Sequence, residues 1–99
     1  METYLIEVPH ANNKQDCLNA MRIFLESGSH FLANAEWGCT DGEHKAIMVV
    51  QLDSKNEAKQ LLPPFYRQNA KITRLRKFSM SDIDDSLKYH RDDSGRVKK

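Results

Sequence analysis

Apolar side chains recur along this chain with alternating periods, and each change of period marks a change of element. Thr3-Tyr4-Leu5-Ile6-Glu7-Val8 alternates on a β-branched and aromatic background and stops at Pro9, which reads as a first strand. Asn12 or Asn13 then caps a helix in which Cys17, Leu18, Met21, Phe24 and Leu25 recur at spacings of three and four, with Gly28 as its stop. Period two returns over residues 31–40 and 43–52, predicting two strands around Asp41-Gly42, a pair suited to the positive φ angles of a type I′ hairpin. Ser54 followed by Glu57 is a capping-box pattern opening a second helix through Ala58, Leu61 and Leu62, which Pro63-Pro64 ends. Phe65, Tyr66 and Arg67 then read as a loop, and residues 70–78 as a fourth strand. Ser79 or Ser81 caps a third helix carrying Met80, Ile83 and Leu87 to about His90, and the charged residues 91–99 read as a flexible tail.

Strand, helix, strand, strand, helix, strand and a C-terminal helix is the ferredoxin-like βαββαβ order of one α+β domain spanning residues 1–90. Right-handed crossovers place both main helices on one face of a four-stranded antiparallel sheet and leave the other face open. The hairpin register can be checked against polarity. With Asp41-Gly42 as a two-residue loop, Cys39 opposes His44, Gly38 opposes Lys45 and Trp37 opposes Ala46. Phe31, Ala33, Ala35, Trp37 and Cys39 then share a nearly apolar face with His44, Ala46, Met48, Val50 and Leu52. Glu36, Lys45, Ile47, Val49 and Gln51 fall on the mixed one, with Glu7 of the first strand.

Length and charge narrow the setting. A chain of 99 residues buries only roughly 60–65% of its unfolded surface, so a homodimer that covers the open face is expected. A formal net charge of +1 argues against a strongly basic nucleic-acid binder, although ten Lys or Arg against five Asp lie from Arg67 onward. The third strand also lacks the stacking aromatics of an RNA-recognition sheet, and charge on the fourth reads as a guarded edge. No apolar run approaches the ~20 residues of a membrane span. Without a recognisable secretory leader, and with only two cysteines, the expected setting is a reducing cytoplasm.

The candidate chemistry sits at one edge of the predicted sheet. The end of strand one and the predicted hairpin meet there, so His10, Cys39 and His44 converge, while His30 falls at the opposite edge. Imidazole and thiolate suit zinc, nickel or copper, with Glu43 or a water completing the set. The plainer reading makes Cys39 a small buried hydrophobe and His44 a core cap beside Trp37. A third makes Cys39 a nucleophile activated by His44, but no orienting group or oxyanion hole accompanies it. A small-ligand site would draw on His10, Trp37, Cys39, His44 and Arg67. An enzyme would need an acid or base from His10, Glu36 or His44, whereas a regulatory interaction module would need neither.

In element order, in the opening Tyr4-Leu5-Ile6-Glu7 and in Leu61-Leu62-Pro63-Pro64-Phe65 before the last strand, the chain resembles the dimeric α+β barrel superfamily over roughly residues 3–78. Muconolactone isomerases, YCII-like proteins, small antibiotic-type monooxygenases and small nickel-binding proteins belong to it. The resemblance implies a homodimer with a ligand pocket between sheet and helices, and it carries over no catalytic residue.

Overall fold

The computed structural model describes residues 1–84. Strand β1 (Glu2–Pro9) is followed by helix α1 (Lys14–Glu26), a one-turn helix α2 (His30–Ala33) and a two-residue strand β2 (Glu36–Trp37). A 3-10 turn (Cys39–Asp41) leads into β3 (Lys45–Leu52), and α3 (Lys55–Leu61), α4 (Pro64–Arg67) and β4 (Lys71–Leu75) complete the layer. The chain is thus α+β, with one four-stranded antiparallel sheet in the order β2-β3-β1-β4.

Local signals account for most boundaries. Asn13 caps α1, its side chain accepting from the Asp16 amide at 2.8 Å, and Ser54 caps α3 by accepting from Glu57 N–H at 3.2 Å. Glu57 completes the second box by accepting from the Asp53 amide. Ser79 and Asp82 exchange the same pair of bonds, and residues 80–84 are helical. The expected continuation of that helix to His90 and the tail at 91–99 lie outside the described residues.

The inward residues of β1 (Tyr4, Ile6, Val8) and β3 (Ala46, Met48, Val50) form one apolar cluster with Ala20 and Phe24 of α1, Leu32, Ala58, Leu62 and Tyr66. The helices therefore cover the face the alternation predicted. Its partner face carries Leu5, Ile47 and the 63%-exposed Val49.

Four expectations need correction. The α1 stripe that meets the sheet is Cys17, Ala20 and Phe24, while Leu18 and Leu25 lie about a quarter-turn away and are exposed. The segment at 31–35 is not strand: Ser29 accepts from the Leu32 amide and nucleates α2, leaving Phe31 outside the core. The two-residue type I′ hairpin does not form, because Asp41 belongs to the 3-10 turn and Gly42 alone supplies a left-handed φ of 85°. The register nonetheless holds as far as Gly38, with Trp37 opposite Ala46 and the Gly38 amide donating to Lys45 O at 3.1 Å, whereas Cys39 leaves the ladder for the 3-10 turn and is not the cross-strand partner of His44. Finally, residues 64–67 are helical because Pro64 suits a first helical turn, and Tyr66 is buried.

Candidate metal centre

A ladder bond, a helix cap and a tight turn deliver four donor atoms to one end of the sheet. His10 leaves β1 with its amide donating to His44 O at 3.0 Å, which extends the β1–β3 ladder by one step and sets the two histidines side by side. The Asn13 cap starts α1 so that Cys17 closes the first helical bond, from its amide to Asn13 O. That places its side chain on the inner stripe directly beneath the His10 segment. Cys39 opens the 3-10 turn that replaces the predicted hairpin. There Gly38 O accepts from both the Asp41 and Glu43 amides.

His10 Nε2 lies 2.9 Å from Cys17 Sγ and 3.1 Å from Cys39 Sγ, and Cys17 Sγ lies 3.6 Å from His44 Nδ1. One donor atom from each of the four residues falls within 4.8 Å of every other. A tetrahedral zinc ion with ordinary bond lengths spaces two nitrogens and two sulfurs roughly 3.3–3.8 Å apart. The group is thus within ligating distance of a metal such as zinc, and only sub-ångström to ångström shifts separate it from that geometry.

A metal-free account of these contacts is short of hydrogen bonds. An imidazole nitrogen has one lone pair or one proton, so Nε2 can satisfy one of the two sulfurs that crowd it. Among the described residues His10 Nδ1 is also buried with no partner. Burial, reinforced by neighbouring His44 and opposed by Asp16, pushes the His10 imidazole below its usual value, which keeps it neutral as a ligand must be. Burial next to the Cys17 thiol pushes Cys39 up. A nucleophilic cysteine is helped by the opposite shift. A bound cation supplies the charge that turns a buried thiol into a thiolate.

No family model, curated protein or solved structure gives a significant match to this chain. The residues themselves carry the functional argument.

Of the residues singled out by sequence, His10, Cys39 and His44 do come together, and the fourth member, Cys17, is the one sequence reasoning missed. Glu43 stands outside the group, exposed, and offers only its backbone to the turn. Trp37 stands beside the site, its ring 5.8 Å from that of His10 and 5.1 Å from that of Phe24. Arg67 is elsewhere. It donates from Nε to Leu62 O and from the guanidinium to Gln60 O, closing the C-terminal end of α3. Glu36 is exposed on β2, and His30 is bonded to Asn34 away from the cluster.

Proposed function

We propose that this chain is a small transition-metal-binding protein whose His10, Cys17, Cys39 and His44 hold a single ion of the zinc class in a closed, four-ligand site. The observation that carries the reading is the pair of cysteine sulfurs flanking one His10 nitrogen at 2.9 and 3.1 Å, with His44 Nδ1 completing the set. Two thiolates and two imidazoles neutralise a divalent ion and suit zinc best, with copper(I) and nickel as competitors. A closed set of this kind does structural work: it ties α1, the end of β1, the 3-10 turn and the start of β3 to one point.

The strand order β2-β3-β1-β4 supports a ferredoxin-like architecture. The partly apolar sheet face with Leu5, Ile47, Val49 and Leu75 supports a homodimer of the α+β barrel type. No described helix is long and apolar enough to cross a membrane, and both cysteines are free. A reducing cytoplasm is the compartment in which such thiols remain available to a metal.

The test is titration of reduced, tag-free protein with cobalt(II), followed by displacement with zinc. One equivalent per chain should generate the intense visible d–d bands and thiolate charge-transfer of a tetrahedral sulfur–nitrogen site. Cys17→Ala, Cys39→Ala and His44→Ala should each abolish that spectrum. Absence of cobalt uptake, or an unchanged spectrum in Cys17→Ala, would sink the proposal. Native mass spectrometry of the same sample reads subunit count and retained ion together.

A further inference from the structure

The ring of His10 separates two compartments. On one side are the sulfurs; on the other is a cleft of about 480 Å³ between α1, the Pro9–Ala11 segment and α4. Its size is that of a small-molecule site. Asp16, Asn19 and Ile23 line it from one face of α1, and Phe65, Tyr66 and Asn69 close the opposite wall.

The wall residues are largely uncommitted. Asp16 receives the Asn13 side-chain amide on one carboxylate oxygen, at 2.9 Å, and Asn19 spends its amide oxygen on Gln15. Among the described residues the Tyr66 hydroxyl and the Asn69 amide have no side-chain hydrogen-bond partner. Phe65 stands 80% exposed at the rim, its ring 5.1 Å from that of Tyr66. Among the described residues that line the cleft Asp16 is the one carboxylate, and neither Lys nor Arg stands with it. Its field reaches across the cleft, adding to burial in raising the Tyr66 phenol above its ordinary value. A cleft with one anionic group, several free neutral dipoles and two aromatic rings favours a cation with an apolar body.

We propose that this cleft is a binding site for a small organic ammonium ion: the amine sits on Asp16 within reach of Tyr66, Asn19 and Asn69, and the apolar part covers Ile23 and Phe65. The assignment does not depend on a metal. Two thiolates and a divalent ion sum to zero, so a loaded centre behind His10 leaves the charge of the cleft as it is.

Three probes of one shape test it. Benzylamine (protonated at neutral pH), benzyl alcohol and phenylacetate are titrated into the full chain, with and without zinc, and followed by backbone-amide NMR. Benzylamine should shift the amides at 16, 19, 66 and 69 saturably, at least about tenfold more tightly than benzyl alcohol, with phenylacetate weakest. Asp16→Asn, which keeps a side chain able to face Asn13, should reduce benzylamine to the affinity of benzyl alcohol. Asn69→Ala, at an exposed position, should weaken it by a few fold. Equal affinities for the three probes, shifts located elsewhere, or no saturable shift would overturn the assignment. Because the probe order is read on the unaltered chain, the result stands even where a variant fails to fold.

Discussion

The layer between sheet and helices is filled differently at its two ends. Toward Glu2 and Leu52, Tyr4, Ile6, Met48 and Val50 join Ala58 and Leu62 in a cluster of buried hydrophobic side chains. Toward Pro9 and Lys45, the space past Val8 and Ala46 holds two imidazoles and two sulfurs. Methyl groups need only neighbours, and any close packing satisfies them. Buried donor atoms need partners of a definite kind, and those at this end do not fully satisfy one another. One end is therefore satisfied by packing alone, whereas the other has the donor atoms that a bound ion would complete.

The largest expected effect tests the self-sufficient end. Ile6 is fully buried and paired with Met48 and Ile72, so Ile6→Ala should cost about 2–5 kcal/mol in urea denaturation. The loss should be equal with and without zinc. A loss that depends on zinc would mean the two ends are one cooperative packing unit and would break the contrast.

Next comes the donor end. At zinc concentrations a hundred to a thousand times its dissociation constant, linkage adds about 2.7–4.1 kcal/mol of stability. Cys17→Ala should forfeit all of that gain while costing far less in metal-free protein. The gain should also shrink as pH is lowered, since a metal ion would have to displace the proton from each thiol. A Cys17→Ala chain that zinc still stabilises as strongly would return the site to the three residues apparent from sequence alone.

That difference between three and four donors shows what the sequence could reveal. Asn13, Ser54 with Glu57, Gly28 and the Trp37–Ala46 register were legible because each rests on interactions spanning a few residues, and tertiary packing did not overrule them. Cys17 was not, since its place on the helix stripe with Ala20 and Phe24 already explains a buried cysteine. The signal available was positional: four residues past the Asn13 cap, it lies in the first turn beneath the segment that carries His10. Residues 31–35 misled for the opposite reason. Their alternation is compatible with a strand, but Ser29 offers a side-chain oxygen to the Leu32 amide, and that local bond decides for helix. The 3-10 turn at 39–41 was hidden by Asp41-Gly42, whose hairpin preference yields once Gly38 O accepts two amides. Convergence survived because the ladder reaches Gly38, and the turn that follows still leaves Cys39 within the same donor group as His44.

Gly38 gives a smaller, sharper test of the same region. A Cβ there would stand 2.8 Å from Glu43 O and 2.9 Å from Glu43 Cβ, so the backbone between Cys39 and His44 must move. Gly38→Ala should cost about 1–3 kcal/mol, and it should weaken cobalt binding without removing a ligand. Unchanged cobalt affinity with lowered stability would show that the turn is only scaffold, and would loosen the link between loop geometry and the donor set.

The smallest effect lies on the open face, and it bears on whether that face is covered. Lys45 Nζ donates to Glu7 Oε2 at 2.8 Å, with both side chains partly exposed. The bond from Lys45, with added attraction from Lys45 and Lys71, holds the Glu7 carboxyl below its ordinary value, and the same pairing raises Lys45. A depressed carboxylate contributes stability that is present above its unfolded value of about 4.3 and fades as pH falls through the folded value. The raised lysine contributes below about 10.4 and loses its share as pH rises through the folded value. Glu7→Gln should therefore lower stability slightly across the neutral range, and the difference from the parent chain should fade as pH falls through the folded Glu7 value, where the carboxyl takes up its proton. A solvated pair gives a small difference at any protein concentration. In a dimer joined through this face the pair is desolvated, so the Glu7→Gln deficit should grow and depend on concentration. A small deficit that stays constant from low to high micromolar chain would mean the Glu7–Lys45 face remains in water, and the homodimer must then be sought elsewhere or abandoned.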